Sequence, residues 1–329
     1  MNIFFSFFLL MLLSILIIVN NKYRFYLGKF FSLVDKPDQK RKIHKFDTPL
    51  IGSFPLIIIF LIYSQFLSIN YFYFLDILLI SIVFFFIGLI DDANNLSYKN
   101  KFFLTIIVLI LFLSFNKDYL ISKILFESIS IEKKLIEKHS IFLTVLCMII
   151  LINAFNFTDG INGLSSIIAC LWLIGLASID NKINFHLIFL STCIFINALP
   201  ILNGKYFIGD SGTLFLGTLI GFETINLFNI SNNNISYEQI FLIFMIPGFD
   251  MIRLIFFRLA NKKNPFLPDN NHLHHLLIKK YSLNKTLMVY SSLIIIPILI
   301  SITFNIQIIL IIIAYSFLYI LIYQKLKKN

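Results

Sequence analysis

Charged residues are scarce in this chain. They make up 13% of its 329 residues, whereas apolar residues make up 58%. Soluble domains contain about 45–50% apolar and about 25% charged residues, so the composition excludes an ordinary soluble protein. The mean hydropathy is +0.88, and apolar runs of about 17–25 residues, the length at which a helix crosses a bilayer, recur along the sequence. These features predict an integral membrane protein.

Cysteine is also rare. The three cysteines form no CxxC pair, which excludes a disulfide framework and a thiolate metal site. No basic face with interleaved aromatic residues is visible, so the net charge of +10 does not indicate nucleic-acid binding. The first apolar segment lacks the basic start and small-residue cleavage site of a secretory signal, and we expect it to remain as a membrane anchor.

The apolar runs predict an all-α polytopic protein with about eleven transmembrane helices and one membrane domain over residues 1–329. They do not alternate as the strands of a membrane β-barrel do, and no internal repeat is evident. The predicted spans are 3–20, 50–67, 72–90, 102–116, 141–157, 164–179, 184–200, 211–228, 239–257, 286–303 and 306–323.

The basic residues predict how these spans are oriented. With the N-terminus outside, all but six of the 27 Lys and Arg residues fall in inner segments, as the positive-inside rule requires. An odd number of spans then puts the C-terminus in the cytoplasm. The cytoplasmic loops are predicted at 21–49, 91–101, 158–163, 201–210 and 258–285, and the outer segment 117–138 as an amphipathic helix or a hairpin.

Five aspartates lie near the predicted cytoplasmic boundary: Asp91, Asp92, Asp159, Asp210 and Asp250. The first two close the third span. A plain helix end is the alternative interpretation, but acids at a helix C-terminus oppose the helix dipole. Because all five lie near one face and none near a predicted midplane, we infer one shared site at the inner face.

Two polar motifs accompany these acids. Asn153 and Asn156 lie one helical turn apart ahead of Asp159, and such amides and carboxylates suit a phosphate or a divalent cation. A plain turn between helices is the alternative. The GDSG segment puts Asp210 at a helix N-terminus, where free amides favour anions, although a simple N-cap is also compatible.

A cluster of histidines follows in a predicted cytoplasmic loop. His272, His274 and His275 are three of the six histidines of the chain, and imidazoles so spaced bind a transition metal or a phosphate. Upstream, Asp250 and Arg253 lie three residues apart. They either pair with each other or serve the shared site.

The ordered motifs resemble those of the polyprenyl-phosphate N-acetylhexosamine-1-phosphate transferase superfamily, which contains the WecA-type and MraY-type enzymes. The resemblance covers most of the chain. Its motifs are Asp35-Lys36-Pro37 with Arg41-Lys42-Ile43-His44 and Pro49-Leu50-Ile51-Gly52, then Asp91-Asp92, the run from Asn153 to Gly160, GDSG at Gly209 and HLHH at His272. The first loop has the WecA-type form. Asn162 departs from the second Asp of many members, and Ser53 from a common glycine.

The resemblance implies transfer of an N-acetylhexosamine 1-phosphate from a UDP-sugar to undecaprenyl phosphate, with release of UMP. UDP-GlcNAc is the expected donor, Mg²⁺ (or Mn²⁺) the expected cofactor and the bacterial inner membrane the expected location. Asp210 is then the expected metal ligand, and Asp91, Asp92 and Asp159 are the expected catalytic residues. The expected substrate-binding residues are Lys36, Arg41, His44, Asn153, Asn156, Asn162, Arg253, His272, His274 and His275. The resemblance also favours a homodimer and leaves open direct attack or a covalent intermediate.

Two alternatives stay open at this point. An MraY-type enzyme would use UDP-MurNAc-pentapeptide, but the first loop argues against it. A transporter or flippase of a lipid-linked or anionic sugar would also be polytopic. Transporters tend to place ionisable residues near the midplane and to contain repeats, and this sequence shows neither feature.

Overall fold

The structure is a computed structural model that describes residues 3–37, 46–67, 73–128, 130–179, 184–231, 235–262, 264, 271–304 and 306–328. Helices account for 78% of the structure, which confirms the predicted all-α class. The helices are α1 Ile3–Lys22, α2 Arg24–Phe30, α3 Phe54–Gln65, α4 Tyr73–Asn94, α5 Tyr98–Phe115, α6 Glu137–Asn156, α7 Leu164–Ile179, α8 Phe185–Leu202, α9 Gly209–Ile230, α10 Tyr237–Ala260, α11 Leu273–Lys280, α12 Leu283–Thr303 and α13 Ile308–Lys328.

Each predicted span coincides with one of these helices. Among the described residues, nine helices are long and apolar enough to cross a membrane, and α3 and α7 are shorter apolar helices. Helices α2 and α11 were not predicted as spans and are too short to cross. The protein is therefore a multi-pass helical membrane protein, and the number of its spans and the orientation of its termini stay predictions.

The structure differs from the prediction at several helix ends that matter for the site. Helix α4 continues to Asn94 and α5 begins already at Tyr98, so residues predicted in a loop belong to helices. Ser97 starts α5 as an N-cap, since its side chain accepts a hydrogen bond from the amide of Asn100 at 3.3 Å. This cap stabilises the first turn of α5.

Helix α9 is the central helix of the bundle, with 18 of its 22 residues buried. It packs most closely against α4, where Gly88 meets the start of α9. A Cβ atom at Gly88 would lie 2.5 Å from the amide nitrogen of Ser211. The absence of a side chain at Gly88 therefore lets the end of α4 approach the backbone of α9, and this contact places the acidic motifs side by side.

Two small antiparallel sheets correct the expectation of a purely helical chain. In segment 117–138, which is predicted to lie outside, β3 Lys123–Phe126 pairs with β4 Ile131–Lys134. Of the two predicted alternatives, a helix or a hairpin, the hairpin forms. The turn of this hairpin is fixed by Glu238, whose carboxylate accepts hydrogen bonds from the amides of Glu127 and Ser128 at 3.1 and 3.0 Å.

The second sheet lies at the opposite end of the bundle. Strand β1 Val34–Asp35 pairs with β2 Thr48–Pro49. The chain then turns through Gly52, whose amide donates to the carbonyl of Phe207 at 2.8 Å, and this is why α3 begins at Phe54 rather than at residue 50. Strand β2 also contacts the loop that leads into α9, because the carbonyl of Pro49 accepts a hydrogen bond from the amide of Phe207 at 2.9 Å.

Candidate active site

A cavity of about 660 Å³ opens at the end of the bundle where α4 and α6 end and α5 and α9 begin. It lies at the end opposite the β3–β4 hairpin. Nine of the predicted site residues line it, namely Asp91, Asp92, Asn153, Asn156, Asp159, Asn162, Asp210, His272 and His275. Motifs that lie up to about 180 residues apart in sequence are thus brought to one place.

The centre of the cavity is a lysine between two carboxylates. The Nζ atom of Lys101 lies 2.7 Å from Oδ2 of Asp91 and 2.5 Å from Oδ2 of Asp210. When the side-chain amide of Asn156 is oriented to satisfy both neighbours, its nitrogen lies 3.1 Å from Asp210 and its oxygen 3.0 Å from Lys101. Four side chains from α4, α5, α6 and α9 therefore form one charged cluster.

The two neighbouring aspartates of α4 have different partners. Asp91 faces Lys101 and also accepts a hydrogen bond from the amide of Leu96 at 2.7 Å. Asp92 instead accepts hydrogen bonds from the backbone amides of Asp210 and Ser211, both at 2.9 Å. Asp92 thus caps the N-terminus of α9 and holds the backbone of Asp210 in place.

Asp159 lies in the loop between α6 and α7. Its Oδ1 accepts a hydrogen bond from the hydroxyl of Ser165 at 2.8 Å. Burial raises the pKa of Asp159 to about 7, and the negative charge of Asp210 adds to the effect. A carboxyl group with such a pKa can take up or release a proton near neutral pH, as general acid–base catalysis requires.

The histidines of α11 lie at different depths. His272 and His275 line the cavity. His274 is buried beneath them and packs against Gly160, and neither of its ring nitrogens has a hydrogen-bond partner in the described part of the chain. Burial lowers the pKa of His274 well below its usual value, so its ring is neutral. The geometry gives His274 packing contacts rather than a place in the cavity wall.

Two other predicted residues, Arg253 and Lys36, do not line the cavity. Arg253 donates to Asp250 at 2.8 Å and to the carbonyl of Asn271 at 2.7 Å, so it pairs within its own helix, which was one of the two predicted alternatives. Lys36 follows β1 and is not among the residues of the cavity wall. Arg41 and His44 lie outside the described residues.

Two cationic residues of the cavity escaped the sequence analysis. Lys101 was assigned to a loop, because the predicted start of the fourth span came four residues too late. Arg258 lies in the last turn of α10, is only 3% exposed and lines the cavity. One signal would have identified Lys101. It is a cation directly before an apolar run and lies only nine residues after the paired acids Asp91 and Asp92.

The carboxylates of the cavity are compatible with the binding of a magnesium ion. No group of three or more His, Cys, Asp or Glu side chains in a metal-binding arrangement occurs among the described residues. Mg²⁺ is, however, usually held by only one or two carboxylates, with substrate phosphates and waters completing its shell. Asp91 and Asp210 direct one oxygen each at a single cationic atom, and this convergence fits such a site.

Comparison with known proteins defines the class. The sequence profile of glycosyl transferase family 4 matches residues 74–228, which include the acidic motifs from Asp91 to Asp210. A protein of Thermotoga maritima is 30% identical over 271 residues, which make up 80% of this chain and 79% of the relative. The chain therefore belongs to glycosyl transferase family 4, as the resemblance to the WecA-type enzymes predicted.

The relatives are named for a particular reaction. The Thermotoga maritima protein is an undecaprenyl-phosphate alpha-N-acetylglucosaminyl 1-phosphate transferase. Proteins of the same name from Salmonella typhi and Escherichia coli K12 are 31% and 30% identical. The Salmonella typhi alignment covers 75% of this chain and 69% of the relative, and the Escherichia coli alignment covers 59% and 55%.

Proposed function

We propose that this protein transfers N-acetylglucosamine 1-phosphate from UDP-GlcNAc to undecaprenyl phosphate. An oxygen of the lipid phosphate attacks the β-phosphorus of the donor, the bond from that phosphorus to the oxygen of UMP breaks, and undecaprenyl diphosphate-GlcNAc and UMP form. The observation that supports this most strongly is the cluster of Asp91, Lys101 and Asp210 in a cavity at the end of the bundle.

The charges of the cavity suit phosphoryl transfer. In this chemistry a protein mainly positions the reactants and stabilises charge on the phosphate oxygens. Lys101 provides a cation at the centre, and Arg258 provides a second in the wall. Amides of Asn153, Asn156 and Asn162 and the rings of His272 and His275 surround them. We assign these groups to the diphosphate and nucleotide of the donor.

Mg²⁺ is the cofactor we propose, with Asp210 and Asp91 as its protein ligands. When bound, the ion neutralises negative charge on the phosphate oxygens. The residues of the chain then have separate tasks. Asp92 keeps the start of α9 in place, and Asp159, with its pKa near 7, handles a proton of the lipid phosphate or orients that phosphate.

We propose the cytoplasmic face of the bacterial inner membrane as the location of the cavity. The basis is the charge distribution, because the predicted orientation puts most Lys and Arg residues on the side of the cavity. UDP-sugars are cytoplasmic nucleotides, and the same side would give them access. A homodimer stays a prediction.

The test is UMP release by the purified protein in lipid nanodiscs. The assay contains undecaprenyl phosphate, Mg²⁺ and one donor at a time, namely UDP-GlcNAc, UDP-GalNAc or UDP-MurNAc-pentapeptide. We expect turnover of UDP-GlcNAc that requires both the lipid and Mg²⁺. Turnover of the pentapeptide donor alone would move the protein to the MraY type, and absence of UMP release with every donor would contradict the enzymatic function.

A further inference from the structure

Beyond the charged cluster, the most completely bonded carboxylate of the described structure is that of Asp250. It is 4% exposed and does not line the cavity. Its Oδ1 accepts from Nη2 of Arg253 at 2.8 Å, from the hydroxyl of Tyr319 at 2.9 Å and from the amide of Leu273 at 3.0 Å. Its Oδ2 lies 2.9 Å from Nδ1 of His272.

These contacts fix His272 in two ways. The bond to Leu273 holds the first amide of α11, a helix whose own N-cap residue His272 makes no side-chain cap. The bond to Nδ1 holds the imidazole ring. Because an ionised carboxylate only accepts hydrogen bonds, Nδ1 must carry a proton. In neutral His272 the lone pair is then on Nε2, the nitrogen that remains for the cavity.

Arg253 and Tyr319, which do not line the cavity, both donate hydrogen bonds to this carboxylate. Nε of Arg253 donates to the hydroxyl of Tyr319 at 2.9 Å, and the guanidinium carbon lies 4.0 Å from the ring centre of Tyr323. Tyr319 and Tyr323 belong to α13, the last helix. The final helix of the bundle thus takes part in a network that ends at His272 in the cavity wall.

We propose that Asp250 is a positioning residue that sets the tautomer and orientation of His272 for the transfer reaction. The proposal rests on the proposed function, in which His272 contacts the donor. Replacement of a residue that orients a metal-bound histidine through its second nitrogen typically changes affinity or activity about 10- to 100-fold, and we expect an effect of the same size for His272.

The substitution Asp250→Asn tests this with little change of shape. The oxygen of the new amide will occupy the Oδ1 position, because three donors converge there. Its NH₂ group then faces Nδ1 of His272. Since an NH₂ group only donates, Nδ1 becomes the acceptor and the proton moves to Nε2. The variant keeps its hydrogen bonds although Arg253 loses its counter-charge, and His272 presents the wrong tautomer to the cavity.

The first measurement is ¹⁵N NMR of the histidine-labelled full-length protein in nanodiscs at pH 8.5, with His272 assigned by its loss in His272→Gln. We expect a protonated Nδ1 in the wild type and a protonated Nε2 in Asp250→Asn. The exposed Asp118→Asn at the other end of the bundle is the matched control and leaves the tautomer unchanged. The same tautomer in wild type and Asp250→Asn would overturn the proposal, whatever the activity.

The second measurement is a double-mutant cycle on kcat/KM for UMP release. We expect Asp250→Asn to lower kcat/KM about 10- to 100-fold in the wild-type background and less than about threefold in the His272→Gln background, because the two residues act as one unit. Fully multiplicative losses would show that Asp250 acts independently of His272 and would overturn the proposal. A wild type without UMP release would refute the proposed function, and the NMR result would still decide the tautomer.

Discussion

Removal of the Lys101 side chain is the perturbation that most directly probes the charged cluster. In Lys101→Ala, the carboxylates of Asp91 and Asp210 lose a cation that lies within 2.7 Å of both. The side chains of Lys101, Asp91 and Asp210 are only 18%, 11% and 32% exposed. Water therefore screens the repulsion between the two acids only in part.

The size of the effect follows from this burial. Loss of one partner from a buried ion pair lowers the free energy of unfolding by about 3–5 kcal/mol. Because Asp210 is partly exposed, we expect a loss at the lower end of this range. Loss of one preorganised charge at a reacting centre lowers kcat about 10²- to 10³-fold. We expect both effects in Lys101→Ala. Lys101→Arg keeps the charge and should restore much of the stability and less of the activity, because the guanidinium is larger.

The assay is UMP release from UDP-GlcNAc together with a thermal melt of the same preparation. Lys117→Ala is the matched control. Lys117 pairs with Glu137 at 2.9 Å near the β3–β4 hairpin, is 62% exposed and should contribute at most about 1 kcal/mol without affecting the activity. A Lys101→Ala variant that keeps its activity within about threefold would refute the assignment of this cluster as the reaction centre.

Three further predictions concern the surroundings of the cluster. Asp92→Ala leaves two amides at the start of α9 without their acceptor and should lower the free energy of unfolding by about 0.5–2 kcal/mol in denaturant or thermal titrations, whereas Asp91→Asn should mainly lower kcat. Gly160→Ala puts a Cβ atom 2.8 Å from Nε2 of His275 and still closer to His274, so we expect a loss of about 1–3 kcal/mol in a thermal melt and at least a tenfold loss of kcat/KM. Asp159→Asn removes a carboxyl whose pKa is raised to about 7. Because the folded state favours the neutral carboxyl, the stability that Asp159 contributes is lost as pH rises from 4 to 7. Between pH 5 and pH 8 the free energy of unfolding of the wild type should therefore fall by about 2–3 kcal/mol more than that of Asp159→Asn, as measured by thermal melts at each pH.

Each of these has a control or a contradicting result. Gly248→Ala is the control for Gly160→Ala, because a Cβ atom at Gly248 meets nothing within 4 Å. Since alanine favours a helix interior more than glycine does, Gly248→Ala should stabilise the protein slightly. Equal melting temperatures of Asp92→Ala and wild type would refute the capping role. Identical pH dependence of unfolding in Asp159→Asn and wild type would show that Asp159 titrates as an ordinary carboxyl group.

The sequence was sufficient for the membrane class, the helical spans and nine of the residues that line the cavity, but not for Lys101 and Arg258. Apolar run length is a direct consequence of bilayer thickness, so every predicted span has a helix in the structure. Helix ends were predicted less accurately, because the predicted spans stopped at the first polar residues. The cap at Ser97 extends α5 towards α4, and this local interaction brought Lys101 into the site.

Roles within the site depended on contacts that no motif encodes. Asp91 and Asp92 are neighbours in sequence, yet one faces Lys101 and the other caps α9. Their directions follow from the packing of α4 on α9 at Gly88. Likewise, the pairing of Asp250 with Tyr319 joins residues of α10 and α13, and side-chain spacing along one helix gives no information about such a partner.

The proposed function requires that the chain joins GlcNAc 1-phosphate to undecaprenyl phosphate in the cavity that contains Asp210. The most direct measurement is the stoichiometry of the two products from UDP-[¹⁴C]GlcNAc, in wild type and in Asp210→Asn, with Asp118→Asn as control. We predict one labelled undecaprenyl diphosphate-GlcNAc for each UMP in the wild type and the control, and neither product in Asp210→Asn. Equal amounts of product from Asp210→Asn, or UMP without a labelled lipid, would contradict the proposed function.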